Sequence, residues 1–165
     1  MMTNRLKSIT SIGVLCALAI ILSYIELLLP PIYAAVPGIK VGLPNIVIIF
    51  ALYYLGVKKA ATISFIRLTI SALLFNPSTF IYSLAGAVLS LAVMALLKKS
   101  GKFSAIGVSI AGGVMHNLGQ ILVAIWLLET VEIGYYMFIL AISGTLAGVF
   151  VGLAATFVIN RLKKL

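Results

Sequence analysis

The polar residues that could bind a ligand stand inside otherwise apolar stretches of this 165-residue sequence. Arg67 interrupts one such stretch, and a guanidinium can hold a carboxylate or a phosphate through paired donors. His116, Asn117 and Gln120 lie in another, where His116 and Gln120 are one helical turn apart. These residues predict contacts with an anionic or hydrogen-bonding ligand. The alternative is structural: Arg67 reaches the membrane surface or backbone carbonyls, and the other three bond across helices.

A third polar group lies where a proline-rich segment leads into an apolar run. Lys40 and Asn45 flank the sequence Val41-Gly42-Leu43-Pro44, and Glu26 ends the preceding apolar run. This arrangement is compatible with the mouth of a binding pocket beneath a loop. The other interpretation is that glycine and proline only bend the chain, while Lys40 anchors at lipid headgroups.

The residues needed for common catalytic chemistry are missing from the sequence. One histidine and one cysteine cannot build a His/Cys metal site. The three acidic residues are scattered, so the sequence has no acidic motif of the D-D-x-x-D type that could hold magnesium on a diphosphate. It also has no glycine-rich phosphate-binding loop. We therefore expect no enzyme activity, no metal and no other cofactor.

The elements that position these residues are apolar helices. Hydrophobic residues make up 63% of the chain and mean hydropathy is +1.25, which is too apolar for a small soluble domain. Uncharged runs near 20 residues in length predict transmembrane helices rather than the alternating strands of a barrel. We predict an all-α integral membrane protein with a single domain, 1–165, and six transmembrane helices. Their expected bounds are 9–29, 41–57, 60–75, 79–97, 105–128 and 135–159.

The distribution of charge predicts the orientation of this bundle. With a cytoplasmic N-terminus and six spans, ten of the twelve basic residues fall on the cytoplasmic side, whereas Lys40 and the three glutamates fall outside. Both termini are then cytoplasmic. The net charge of +9 is explained by topology, so we expect no nucleic-acid partner. The expected location is the bacterial cytoplasmic membrane, as a multi-pass protein.

Small residues spaced by four mark the helix faces that can approach closely. Gly144, Gly148 and Gly152 form two overlapping G-x-x-x-G units and predict helix packing, within this bundle or against another subunit. Gly13 and Ala17 have the same spacing in the first helix. That pair could dock the helix of a partner.

Three separated motifs carry a resemblance to a known family. The segments 37–47, 84–86 with Ser90, and 116–120 occur in the same order in the Gx transporter family, which is also labelled heptaprenyl diphosphate synthase component I. The resemblance covers nearly the whole chain. The alanine that usually follows glycine-leucine is replaced by Pro44, which gives the helix a rigid start.

The family resembles the substrate-binding S-components of energy-coupling factor (ECF) transporters. That resemblance implies a six-helix bundle that binds a small, anionic or amphipathic nutrient from outside and docks a membrane coupling subunit driven by two ATPases. Gly13 and Ala17 stand where many S-components have an alanine-x-x-x-alanine motif. The alternative hypothesis is a non-catalytic membrane subunit associated with isoprenoid or quinone synthesis, or with a flavin- or quinone-linked redox assembly.

Overall fold

The regular structure of the described residues is helical. The computed structural model describes residues 2–29 and 41–162, with side chains from residue 6 onward. Short 3-10 turns at Pro77–Thr79 and Val131–Tyr135 precede the fourth and sixth helices. The six α-helices are α1 (Met2–Leu28), α2 (Leu43–Tyr54), α3 (Val57–Leu74), α4 (Phe80–Ser100), α5 (Ala105–Leu128) and α6 (Tyr136–Leu162).

Four helices have the length and composition needed to cross a membrane. They are α1 from Leu6 onward, α4, α5 and α6. By contrast, α2 is apolar but only 12 residues long, and α3 carries Lys58, Lys59 and Arg67. The all-helical membrane architecture predicted from the sequence is therefore supported by four candidate spans.

The second helix is short because glycine bounds it at both ends. Gly42 precedes it with φ +82°, Pro44 lies in its first turn, and Gly56 follows with φ +91°. These positive φ values lie outside the helical region and suit glycine. At about 1.5 Å per residue, α2 extends only about 18 Å, against a hydrocarbon core of about 30 Å.

The apolar core is built around α2. This helix contacts α1, α3 and α6, and its residues Val47, Ile48, Ile49, Ala51 and Leu52 are all buried. A helix that is apolar on every side is typical of a protein core or of a membrane span. The contacts of α2 with three neighbours place it in the core of the bundle.

The helices α5 and α6 approach each other closely at three glycines of α6. Gly144 lies against the backbone of Gly113, Gly148 against Ile110 and Gly152 against Ile106. Because glycine has no side chain, the two helix backbones can approach closely. Close packing of this kind stabilises helix pairs in lipid, where the hydrophobic effect does not drive helices together. The three glycines predicted to pack thus face α5.

One end of the bundle collects most of the described basic residues. The Nζ atom of Lys98 near the end of α4 donates to the carbonyl of Leu52 near the end of α2 at 2.5 Å. Lys7 of α1 and Tyr54 of α2 line a common groove. We call this the basic end; it holds the starts of α1, α3 and α5 and the ends of α2, α4 and α6.

Candidate functional site

Arg67 is a charged residue buried in the bundle. Only 8% of its surface is exposed, and its Nη1 atom donates a long hydrogen bond of 3.4 Å to Ser23 Oγ of α1. Its Nε atom is buried and has no hydrogen-bond partner among the described residues, and the same holds for Ser71 Oγ one turn further along α3. Arg67 thus keeps donor capacity that the described residues do not use.

Glu26 connects α1 to the beginning of α2 in the same region. Its carboxylate accepts a hydrogen bond from the backbone amide of Gly42, which immediately precedes α2. A carboxylate at this position also complements the partial positive charge of a helix N-terminus. The negative charge of Glu26 also favours the charged form of the Arg67 guanidinium.

Arg67 and the beginning of α2 lie at similar distances from the basic end of the bundle. Arg67 is ten residues after the start of α3, about 15 Å from the basic end. The beginning of α2 lies about 18 Å from the same end, because α2 is so short. Near the middle of a bilayer, polar groups are costly and must be satisfied. We name Ser23, Glu26, Gly42, Arg67 and Ser71 the Arg67 cluster.

His116 and Gln120 both lie against α4 at Gly86. A Cβ atom on Gly86 would be 3.1 Å from His116 Cε1 and 3.0 Å from Gln120 Cγ. The absence of a side chain at Gly86 therefore makes room for both. The common face predicted from their spacing is the face that meets α4.

Asn117 faces the opposite neighbour, α6. Its Nδ2 atom donates to the carbonyl of Leu140 at 2.6 Å, and a Cβ atom on Gly144 would lie 2.9 Å from that same nitrogen. Such a bond satisfies the amide between two helices. The three polar residues of α5 therefore do not all point to the same helix.

Asn45 and Lys40 belong to the entry of α2. The backbone amide of Asn45 donates to the carbonyl of Gly42 at 2.9 Å, and its side chain is half-buried beside Gly42. This places Asn45 next to the Gly42 amide that Glu26 binds. Lys40 lies outside the described residues.

Arg67 donates to Ser23 of α1, whereas His116 lies against Gly86 of α4. Their participation in one binding site stays a prediction. Neither of two surface grooves on the described part of the chain is lined by Arg67, His116 or Gln120. In residues 2–29 and 41–162, no three His, Cys, Asp or Glu side chains are grouped to hold a metal ion.

The first helix presents Gly13 and Ala17 on an open face. No described residue lies within 4 Å of a Cβ atom placed on Gly13, and Ala17 is exposed. Gly144, Gly148 and Gly152 differ, since backbone atoms of α5 lie against each of them. The face of α1 that carries Gly13 and Ala17 therefore does not pack against another described helix.

Sequence reasoning missed the contribution of α1 to the Arg67 cluster. Ser23 and Glu26 are three residues apart, a spacing that places both on one helix face. Arg67 and Ser71 have the equivalent spacing of four on α3. These two patterns were the available signal, but the contact between them depends on how α1 and α3 pack.

Comparison with known proteins identifies a family to which the chain is similar. The family model described as heptaprenyl diphosphate synthase component I matches residues 15–158, nearly the full length of the chain. No curated protein and no solved structure gives a significant match.

Proposed function

The chain belongs to the heptaprenyl diphosphate synthase component I family, and we propose that it is a non-catalytic, substrate-binding membrane subunit. In this proposal it captures a small anionic or amphipathic nutrient and delivers it to an importer of the energy-coupling factor type. Partner ATPases supply the energy. The proposed location is the bacterial cytoplasmic membrane, with six spans, both termini inside and the basic end facing the cytoplasm.

The observation that carries this proposal is the buried guanidinium of Arg67 with its unpartnered Nε atom. A charge held deep in an apolar bundle is costly, and such residues commonly serve ligands or ions. The planar donor fork of arginine suits a carboxylate or phosphate. A ligand that accepts from Nε would satisfy a donor that the described residues leave unused.

The other predicted residues complete the proposed site. Lys40 adds positive charge at the entry, and Asn45 lies beside the amide of Gly42 at the start of α2. His116 and Gln120 would orient the ligand by hydrogen bonds from α5. Asn117 would contribute only if the ligand displaced its bond to Leu140.

The ligand test begins with the purified protein. Native mass spectrometry in mild detergent should identify a retained small molecule, whose binding is then measured by titration. We expect Arg67→Lys to weaken binding about tenfold or more, because lysine keeps the charge but loses the paired donors. Replacing both Arg67 and His116 by alanine should weaken it further.

The contradicting outcome is a small effect in correctly folded protein. If the double alanine variant binds within about twofold of the unmodified chain, below about 0.5 kcal/mol, the site is elsewhere. Lys102→Gln is a suitable control, since it removes an exposed charge at the basic end.

The open face of α1 supports the proposed docking of a coupling subunit. We expect Gly13→Leu to reduce co-purification with the coupling subunit and its ATPases at least tenfold, because a large side chain blocks close helix approach. The variant itself should remain folded, since no described residue lies within 4 Å of that position. Affinity purification from the native membrane, followed by mass spectrometry, measures the effect.

Phe103→Leu is the control for that experiment, because it changes an exposed apolar residue away from α1. Equal recovery of partners with Gly13→Leu and Phe103→Leu would exclude this face as the docking surface. It would leave the ligand test unaffected.

A second candidate function is a scaffolding subunit of an isoprenoid, quinone or redox assembly. The bond from Asn117 to Leu140 and the close approach of His116 to Gly86 favour it, because these polar groups then serve helix packing. The family description also names a synthase component. This candidate expects no retained small molecule and stable co-purification with a soluble synthase.

A further inference from the structure

A largely apolar groove lies at the basic end of the bundle. It has a volume of about 570 Å³ and lies between the start of α3 and the end of α4. Its apolar wall consists of Val57, Ala92, Ala95 and Leu96. Ala92 and Ala95 are three residues apart on α4, so their small side chains leave a channel along the helix.

The groove faces outward from the bundle. Leu96 is 67% exposed and Val57 is 42% exposed, so apolar surface is available to whatever surrounds the helices. In a membrane, that surrounding is the acyl region of the leaflet at the basic end. A hydrocarbon chain can therefore enter the groove sideways.

Two lysines close the polar end of the groove. Lys98 and Lys99 both line it, and Lys99 is exposed. Lys98 uses one donor on the Leu52 carbonyl, and its ammonium lies 5.1 Å from the centre of the Tyr53 ring. An ammonium has three donors, so two remain available for a headgroup.

The beginning of α3 adds to the positive potential of that end. Val57 is its first residue, and the preceding Gly56 supplies no side-chain cap to the first-turn amides. Lys58 and Lys59 follow immediately. None of the described residues that line the groove is acidic, so the side-chain charge along this lining is positive where a phosphate would lie.

We propose that this groove binds an anionic phospholipid from the leaflet at the basic end. Its phosphate contacts Lys98 and Lys99, and one acyl chain lies along Ala92, Ala95 and Leu96. Basic clusters between membrane helices recognise anionic headgroups through charge and hold the chain through apolar contact. The bound lipid would fill the space between α3 and α4. This inference is independent of the proposed transport function.

Native mass spectrometry with defined lipids tests the proposal. The full chain, purified and stripped of lipid, is titrated with palmitoyl-oleoyl phosphatidylglycerol or with the corresponding phosphatidylcholine. We expect tight binding of one phosphatidylglycerol and at least tenfold weaker binding of phosphatidylcholine. Lys99→Gln should weaken phosphatidylglycerol binding about fivefold, as expected for one lysine at an anionic headgroup.

Ala95→Leu probes the acyl channel without changing charge. It should weaken binding about fivefold or more by filling the groove, and Ala92→Leu provides a second variant if the first does not fold. Lys102→Gln removes the same charge at the same end but from a residue outside the groove. It should bind as the unmodified chain does.

Three results would overturn the proposal. Equal binding of the two lipids would exclude recognition of the anionic headgroup. An equal loss for Lys99→Gln and Lys102→Gln would indicate a diffuse surface charge effect. Unchanged binding by folded Ala95→Leu or Ala92→Leu would show that the chain does not occupy the groove.

Discussion

Replacing Gly148 by leucine is expected to prevent α5 and α6 from packing and to abolish the folded bundle. Even the Cβ atom of alanine at this position would lie 2.5 Å from Ile110 Cα and 2.9 Å from the carbonyl oxygen of Ser109. Backbone atoms cannot move aside as a flexible side chain can. The helices must therefore separate, at an expected cost of about 3 kcal/mol or more for leucine.

Gly148→Ala is the more discriminating variant of this pair. Alanine favours a helix by about 1 kcal/mol over glycine, so helix propensity alone predicts stabilisation. The close approach of the two backbones predicts the opposite. We expect Gly148→Ala to lower the melting temperature by several degrees. The measurement heats the protein in detergent and follows the loss of folded protein by size-exclusion chromatography.

Gly13→Ala is the matched control, since a Cβ atom added at Gly13 would have no described neighbour from another helix within 4 Å. Its melting temperature should equal or exceed that of the unmodified chain. Similar melting temperatures for Gly13→Ala and Gly148→Ala would show that α5 and α6 do not approach as closely as described.

Removing the guanidinium of Arg67 is expected to have the second large effect. Arg67→Met keeps much of the length of the apolar part of the arginine side chain. It also removes the positive charge that interacts favourably with the negative charge of Glu26. An unpaired charge that is fully buried inside a membrane bundle costs several kcal/mol of stability. Because Glu26 is half-buried and retains its bond to Gly42, we expect a loss of about 2 kcal/mol.

A double variant separates electrostatics from packing. Glu26→Gln combined with Arg67→Met removes both charges, so it should recover part of the stability that Arg67→Met loses. Arg161→Met is the control, since Arg161 is exposed and lies over the Phe157 ring at the end of α6. Thermal unfolding of the unmodified chain, of Glu26→Gln, of Arg67→Met and of the double variant measures the coupling, and Arg161→Met is measured beside them.

Additive effects of the two single variants would argue against an electrostatic link between α1 and α3. In that case Arg67 would act only through its bond to Ser23. The ligand proposal would not be affected, because it depends on the unpartnered Nε atom.

The short second helix shows how sequence patterns and structure differ here. The apolar run predicted a helix over 41–57, yet α2 extends from Leu43 to Tyr54. Hydropathy indicates which residues avoid water, but it does not indicate where backbone dihedrals leave the helical region. Positive φ values at Gly42 and Gly56 decide that.

The glycine patterns show the same division. The spacing of Gly144, Gly148 and Gly152 indicated a close contact, and the equivalent spacing of Gly13 and Ala17 indicated another. Only the packed bundle distinguishes them, because the first set lies against α5, while a Cβ atom placed on Gly13 would have no described neighbour from another helix within 4 Å. Periodicity defines a face, but it does not name what covers that face.

The sequence by itself determined the helical membrane class, the family and the polar residues that stand within apolar helices. These properties follow from composition, motif order and the cost of polar groups in hydrocarbon, all of which are local or additive along the chain. Only the tertiary structure decided that Glu26 meets the start of α2, that Ser23 meets Arg67, and that Asn117 turns to α6. These contacts join residues distant in the chain, so they depend on helix length and packing rather than on spacing.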